Sequence, residues 1–99
     1  MRLKSGESMS DQPLISVTVC MRNAAHWIDD CMESLIQQTY RPLEIIAVDD
    51  GSTDGGDSKL DSWKGSHNGI PVIVLHQTAK GLSAGRNLAV ENSNGEWIA

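Results

Sequence analysis

Two adjacent carboxylates, Asp49 and Asp50, stand where an apolar segment ends abruptly. The segment, residues 45–48, has the continuous apolar character of a strand that is buried on both faces. Ligands of parallel α/β sheets bind at the carboxyl ends of the strands, so both acids are candidates for a binding site. A carboxylate there can accept hydrogen bonds from the imide N–H of a uracil or from ribose hydroxyls. In the alternative interpretation the two acids cap the next turn and helix, although residues 52–54 already offer caps.

A second candidate cluster follows the first apolar strand and consists of Cys20, Met21 and Arg22. If this strand and the one before Asp49 are parallel neighbours, both end at the same edge of the sheet, and the backbone of the cluster lines the same crevice. Arg22 is open to two interpretations, a solvated surface arginine or a contact for a phosphate or sugar. Asn23 is expected to cap the helix that comes next.

The third cluster, residues 80–87, is a glycine-containing loop that opens a helix. Gly81 and Gly85 let backbone approach a ligand closely, and a helix N-terminus favours anions. Lys80 and Arg86 add positive charge to this region. The segment is neither a P-loop nor a G-x-G-x-x-G fingerprint. It therefore indicates a phosphate-facing or sugar-facing segment only in combination with the other two clusters.

The histidines and cysteines are expected to serve the fold rather than chemistry. His26, His67 and His76 fall in different predicted elements without metal-ligand spacing, and we interpret them as ordinary surface or loop residues. Cys20 and Cys31 form no C-x-x-C pair and are expected to be buried, reduced thiols, which fits the cytoplasm. The sequence predicts no metal ligands and no catalytic Ser-His-Asp or Cys-His arrangement.

Hydrophobic periodicity predicts alternating strands and helices. Residues 28, 31, 32, 35 and 36 are apolar and share one helical face, and Pro42 stops that helix. Residues 66–69 are predicted to be a polar turn. The predicted strands cover residues 14–21, 43–48, 71–75 and a segment from 96, with helices that begin near Asn23, near Thr53 or Asp54, and near Gly81. This order predicts an α/β fold with a doubly wound, mostly parallel sheet of Rossmann-like βαβ units.

Length and charge exclude several classes of protein. The 99 residues suffice for one small domain, and a net charge of −5 argues against a nucleic-acid partner. No stretch approaches the roughly 20 apolar residues of a membrane span. Residues 1–12 lack the apolar core of a signal peptide and are expected to be a disordered leader before a domain at 13–99. A strand just begun at residues 96–99 predicts a truncated sheet whose edge pairs with a second copy.

These three clusters, in this order, resemble family 2 glycosyltransferases of the GT-A type from about Leu14 to Ala99. The matching segments, each with the family pattern, are residues 16–23 (S-V-I-I-P-x-Y-N), 34–40 (S-L-x-x-Q-T-Y), 44–54 (E-I-I-V-V-D-D-G-S-T-D), 81–87 (G-x-S-x-A-R-N) and 95–99 (G-E-W-I-A). Cys20 replaces a proline, Arg22 a tyrosine and Ala47 a valine. The ordered set is highly specific, although no single segment is decisive.

The resemblance implies the nucleotide-binding half, truncated, of a GT-A enzyme. Such an enzyme would transfer a sugar from a nucleotide-diphosphate donor, a UDP-sugar above all, to a hydroxyl of a saccharide or lipid-linked acceptor in cell-envelope polysaccharide or glycolipid synthesis. Within it Asp50 would contact the base, Asp49 would support Asp50 or the ribose, and Arg86 would face the ribose or phosphates. The implied nucleotide-sugar-binding residues are Cys20, Met21, Arg22, Asp49, Asp50, Lys80, Gly81 and Arg86.

The resemblance also implies Mg²⁺ or Mn²⁺ in the full-length enzyme, with ligands mostly beyond Ala99, so residues 1–99 alone are expected to be inactive. It implies a cytoplasmic enzyme, at the inner face of the cytoplasmic membrane through the missing part. The alternative is a non-catalytic nucleotide-binding or interaction module of α/β fold. A receiver-like signalling domain is excluded because it needs acids after its first and third strands, where this chain has residues 20–22 and 75–77.

Overall fold

The computed structural model describes residues 2–3 and 12–99. The strands in this part of the chain are β1 (Arg2–Leu3), β2 (Ile15–Met21), β3 (Leu43–Asp50), β4 (Gly65–His67), β5 (Ile70–Gln77) and β6 (Trp97–Ile98). The helices are α1 (Ile28–Ile36), α2 (Gly56–Asp61) and α3 (Leu82–Glu91). The expected disordered leader falls mostly on residues 1 and 4–11, which lie outside the described residues, so it stays a prediction.

All of these strands belong to one sheet with the order β1-β6-β2-β3-β5-β4. The four strands β6, β2, β3 and β5 are parallel, and β1 and β4 pair antiparallel at the two edges. The chain proceeds from β2 through β3 to β5 and then returns through α3 to β6, on the other side of β2. Such a reversal of strand order is the mark of a doubly wound sheet, so the predicted fold class is confirmed.

Strand β3 lies in the interior of the sheet, and all eight of its residues are buried. Its side chains alternate between the two faces of the sheet. Ile45 and Ala47 belong to the core cluster that includes residues of α1 and α2, whereas Ile46 and Val48 pack with Ala89 of α3. Apolar contacts on both faces explain why this strand is an unbroken apolar run in the sequence.

Helix α1 confirms the predicted amphipathic helix, because Ile28, Met32 and Ile36 are buried against the sheet. The prediction that Asn23 caps this helix is wrong. The N-cap is Trp27, which makes no capping hydrogen bond through its side chain. Asn23 lies four residues earlier, with a φ of 52°, and its side chain bonds to a neighbouring loop instead.

The segment between β3 and β5 also departs from the prediction. Helix α2 begins at Gly56 rather than at Thr53 or Asp54. Asp54 still serves the start of α2, since its Oδ1 accepts a hydrogen bond from the Gly56 N–H at 2.9 Å. Residues 66 and 67, predicted within a polar turn, belong instead to β4, because residues 65–67 pair with β5 across the turn at residues 68–69. None of the helices in the described part of the chain combines the length and apolar character needed to cross a membrane.

A buried polar network anchors the turn between α3 and β6, at the end of the sheet opposite the carboxyl ends of the parallel strands. Glu44 is 5% exposed, and its Oε2 accepts hydrogen bonds from Ser16 Oγ at 2.6 Å and from the Asn94 N–H at 2.7 Å. The Gly95 N–H donates to the same Ser16 hydroxyl at 2.8 Å. The network joins β2, β3 and the start of β6, so it fixes the return crossover.

Candidate functional site

The two aspartates at the end of β3 lie on opposite faces of the sheet. In the parallel register of β3 and β5, Asp49 pairs with His76 and Asp50 pairs with Gln77. Ala47 of β3 packs on the α1/α2 face of the sheet and Val48 on the α3 face. Because side chains alternate along a strand, Asp49 lies on the α1/α2 face and Asp50 on the α3 face. Both are buried, at 3% and 1% exposure, and each lines a different cavity.

Asp50 is an ionised carboxylate held by three donors. Its Oδ1 accepts hydrogen bonds from the Lys80 N–H and from Gln77 Nε2, both at 2.8 Å, and its Oδ2 accepts one from the Gly81 N–H at 3.1 Å. These bonds, led by that of the Lys80 N–H, hold the pKa of Asp50 below its usual range. A carboxylate has about four acceptor positions, so the described contacts use both positions on Oδ1 and one of the two on Oδ2.

Asp50 lines an open cleft of about 450 Å³ at the carboxyl ends of the strands. This volume lies within the roughly 300–1,000 Å³ of ligand-binding clefts. The described lining comes from the ends of β2 and β3, the loop after β2, and the junction at the start of α3. It consists of Cys20, Met21, Arg22, Ala24, Asp50, Gly81 and Leu82. The structure thus brings five of the eight residues proposed from the sequence into one cleft, Cys20, Met21, Arg22, Asp50 and Gly81.

Cys20 forms part of the cleft wall as a free, half-buried thiol. Its sulfur packs on Gly85 of α3 so closely that a Cβ at position 85 would overlap it. Burial, followed by the nearby charge of Asp50, raises the pKa of the Cys20 thiol, which is therefore neutral at neutral pH. Cys31 is also free and half-buried, so the prediction that both cysteines are buried is wrong.

The three basic residues proposed for the site are placed differently. Arg22 is exposed at the cleft and close enough to Asp50 for its charge to help lower the pKa of that carboxyl. Lys80 meets Asp50 through its backbone N–H, and its side chain is exposed. Arg86 is exposed on α3, and its charge acts on the Cys20 thiol. The described lining of the cleft includes Arg22 but neither Lys80 nor Arg86.

Three hydrogen bonds from backbone N–H groups join the loop after β2 to the loop after β3. The Asn23 N–H donates to Ser52 Oγ at 2.9 Å, the Thr53 N–H donates to Asn23 Oδ1 at 2.8 Å, and the Ala25 N–H donates to Asp54 Oδ2 at 3.0 Å. Ser52 and Thr53, proposed as helix caps, therefore bond across to the neighbouring loop. Residues 22–25 and 51–54 form one connected platform beside the cleft, and we call it the two-loop platform.

Asp49 faces a second open cavity, of about 560 Å³, on the α1/α2 side of the sheet. Ser52 Oγ donates a hydrogen bond to its Oδ1, and His76 Nδ1 lies 3.3 Å from its Oδ2. His76 Nε2 lies 2.7 Å from Asp61 Oδ1, and this bond is the main cause that raises the pKa of His76. Sequence reasoning gave His76 no role. Its contacts with Asp49 and Asp61 follow from the register of β3 and β5 and from the position of α2, which the sequence alone does not indicate.

No metal site is formed within residues 2–3 and 12–99. Among these residues, no group of three or more His, Cys, Asp and Glu side chains could hold a metal ion. The described residues therefore do not fit a resident Mg²⁺ or Mn²⁺. The assignment of the metal ligands to residues beyond Ala99 stays a prediction.

The doubly wound sheet, with its cleft at the strand ends beside an ionised acid, has the architecture of nucleotide-binding α/β proteins. The sequence profile described as Glycosyl transferase family 2 matches residues 16–99. The chain therefore belongs to family 2 of the glycosyltransferases.

Individual relatives agree with this assignment. Glycosyltransferase GlyG of Streptococcus pneumoniae serotype 4 is 41% identical over 86 residues, which are 86% of this chain and 28% of GlyG. The uncharacterized glycosyltransferase YibD of Escherichia coli K12 is 37% identical over 91 residues, which are 92% of this chain and 26% of YibD. The solved structure of the mannosyltransferase PcManGT from Pyrobaculum calidifontis, in complex with GDP-Man and Mn²⁺, superposes with a TM-score of 0.78 at 27% identity and covers 88% of this chain and 26% of that one. This similarity confirms the GT-A fold, and the chain spans about a quarter of the length of these relatives.

Proposed function

We propose that this chain is the nucleotide-binding part of a glycosyltransferase that takes a sugar from a nucleotide-diphosphate donor and transfers it to an acceptor hydroxyl. The observation that carries the proposal is Asp50, an ionised carboxylate that lines the cleft. Membership of the family supports transferase chemistry. The complex of PcManGT with GDP-Man supports a nucleotide-sugar donor.

The number of acceptor positions at Asp50 favours uracil as the base. Uracil presents a single imide N–H, whereas guanine presents two neighbouring N–H donors on one edge. Gln77 and the Lys80 N–H fill Oδ1, and the Gly81 N–H takes one of the two positions on Oδ2. One donor fits the remaining position, but a pair of donors must displace an existing bond. We therefore propose a UDP-sugar as the donor.

The basic residues around the cleft are proposed to bind the rest of the donor. Arg22, at the cleft itself, is placed to contact the ribose or a phosphate. Lys80 and Arg86 are exposed on the α3 side and add positive potential for the diphosphate. The chain has a net charge of −5, so a dianionic ligand needs such local cations. Asp49, on the opposite face, supports the site through Ser52 and the two-loop platform.

The remaining proposals concern the whole protein and rest on the family resemblance. We propose a saccharide or lipid-linked acceptor in cell-envelope polysaccharide or glycolipid synthesis, a cytoplasmic site of action at the inner face of the membrane, and self-association through the sheet edge. We also propose Mg²⁺ or Mn²⁺ as cofactor, held mostly by residues beyond Ala99. Such an ion neutralises the developing charge of a diphosphate leaving group when it is bound.

Calorimetric titration of UDP and GDP into the chain and into Asp50→Asn tests the proposal. We expect UDP to bind more tightly than GDP, and Asp50→Asn to weaken UDP binding by about tenfold or more, because one charge-assisted hydrogen bond is lost. Asp30→Asn, an exposed carboxyl on α1, is the matched control and should bind UDP as the parent chain does. Unchanged UDP affinity in a folded Asp50→Asn variant, with folding checked by thermal unfolding, contradicts the assignment.

A further inference from the structure

His76 occupies a position between two carboxylates that come from different elements. It pairs with Asp49 across β5 and β3, and its Nδ1 lies 3.3 Å from Asp49 Oδ2. On the other side, its Nε2 lies 2.7 Å from Asp61 Oδ1 at the end of α2. A neutral imidazole donates from one nitrogen only, whereas the imidazolium donates from both. The geometry therefore matches the protonated ring, which can bond to the two acids at once.

The contact between His76 and Asp49 continues towards the cleft. The second oxygen of Asp49 accepts a hydrogen bond from Ser52 Oγ, and the same hydroxyl accepts one from the Asn23 N–H at 2.9 Å. Asn23 lies between Arg22 and Ala24, which both line the nucleotide cleft. An unbroken series of hydrogen bonds thus runs from Asp61 on α2, through His76, to the two-loop platform.

We propose that His76 is a positioning residue for the nucleotide cleft: by bonding to Asp49 and Asp61 together it fixes the Asp49 carboxylate, and through Ser52 it fixes the platform that forms one wall of the cleft. The proposal rests on the proposed nucleotide binding. His76 lies on the other face of the sheet from Asp50 and does not touch the donor. Its effect passes through the orientation of Asp49, whose side chain is 4% exposed.

The charges around His76 are dominated by acids. Asp49 faces it from β3, Asp61 faces it from α2, and Asp57 of α2 lines the same cavity. Lys64, after α2, lies 3.8 Å from the Asp61 oxygen that bonds to the ring. The bond to Asp61, followed by that to Asp49, raises the pKa of His76 above its usual range. The positioning contacts are therefore complete below that raised pKa and are lost as the pH rises through it.

Two titrations test the proposal on the full 99-residue chain. In the first, two-dimensional NMR follows the backbone N–H of Asn23 together with the His76 ring between pH 5 and 9. In the second, UDP affinity is measured over the same range for the parent, for His76→Asn and for His67→Gln, a control histidine on β4. Ionisation of UDP itself is common to all the proteins and cancels when they are compared.

We expect the resonance of the Asn23 N–H to shift over the same pH range as the resonances of the His76 ring. We also expect the affinity of the parent chain for UDP to fall about tenfold as that ring deprotonates, which is the scale of one charge-assisted hydrogen bond. His67→Gln should show the same profile, and His76→Asn should bind weakly with no such step. Asp61→Asn should keep the step but move it to lower pH, because the main cause of the raised pKa is removed.

Any of three results would overturn the inference. The first is an Asn23 N–H resonance that does not shift as the His76 ring titrates. The others are equal pH profiles of UDP affinity for the parent and His76→Asn, or a step in the Asp61→Asn profile at the same pH as in the parent. If His76→Asn fails to fold, the Asp61→Asn profile decides. Absence of UDP binding by the parent at every pH contradicts the proposed function instead. In that case the link between His76 and Asn23 is still decided by the NMR titration.

Discussion

Replacing Gly85 by alanine tests how closely α3 packs on the wall of the cleft. A Cβ at this position would overlap Cys20 Sγ, and it would lie 3.3 Å from Cys20 Cβ and 3.4 Å from Gln77 Nε2. Either the sulfur must rotate away or α3 must move off β2, and such overpacking destabilises a core by about 1–3 kcal/mol. Alanine offsets roughly 1 kcal/mol of this through its higher helix propensity. We expect Gly85→Ala to lower the free energy of unfolding by about 1 kcal/mol.

The effect of the same substitution on the free energy of unfolding is expected to have the opposite sign when residue 20 is alanine. Without the sulfur, the closest described neighbours of the new Cβ are at 3.3 and 3.4 Å, which are tight contacts but not overlaps. Helix propensity then dominates, and Gly85→Ala should stabilise Cys20→Ala by about 0.5–1 kcal/mol. The coupling energy between the two positions is thus about 1.5–2 kcal/mol.

Urea unfolding of the parent, both single variants and the double variant measures this coupling. Ser83→Ala, an exposed change on the same helix, is the matched control and should be additive with Cys20→Ala. A coupling energy between positions 20 and 85 below about 0.5 kcal/mol would mean that the thiol does not occupy the space beside Gly85, and it would refute the reasoning.

Two further predictions concern stability. Glu44→Ala should lower the free energy of unfolding by about 2–4 kcal/mol, because the Ser16 hydroxyl and the Asn94 N–H lose their buried acceptor. The control Glu33→Ala, on the exposed side of α1, should change the free energy of unfolding by less than about 0.5 kcal/mol. Equal urea midpoints for the two variants would contradict this prediction. Acid should also destabilise the protein. The Lys80 N–H is the main cause that lowers the pKa of Asp50, and the Ala25 N–H is the main cause that lowers the pKa of Asp54. The two ionised carboxylates therefore stabilise the folded state fully above the ordinary carboxyl pKa of about 3.9. This stabilisation is lost as the pH falls through the lower pKa values of the folded state. Thermal unfolding between pH 5 and 2 measures this loss, and a midpoint that does not fall with pH rules it out.

Local patterns in the sequence were sufficient to predict the main helices and strands, but not the contacts between loops. The apolar run of β3 and the helical spacing of residues 28–36 depend only on near neighbours, and both elements are present. Strand β4 exists because it pairs with β5, which no propensity of residues 65–67 indicates. Asn23 is a residue type that commonly caps helices, yet its Oδ1 accepts a hydrogen bond from the N–H of Thr53, 30 residues away. The two residues meet because the ends of β2 and β3 bring their loops together.

The site was predictable as a set of loops, but the face on which each aspartate lies was not. The predicted strand ended at Val48, so alternation predicted only that at most one of the two aspartates continues the strand, with the other free to turn towards the crevice. In the structure β3 continues through Asp50, and the alternation of side chains separates Asp49 from Asp50. The role inferred for His76 depends on the register between β3 and β5, which the sequence of either strand alone does not determine.

The most direct test of the central claim is to map UDP onto the folded chain by following its backbone N–H resonances during a titration. The proposed function predicts that the largest changes occur at Lys80, Gly81 and residues 20–24, around the Asp50 cleft. Changes centred instead on Asp57 and Asp61, in the cavity on the opposite face of the sheet, would contradict the claim that Asp50 marks the nucleotide site.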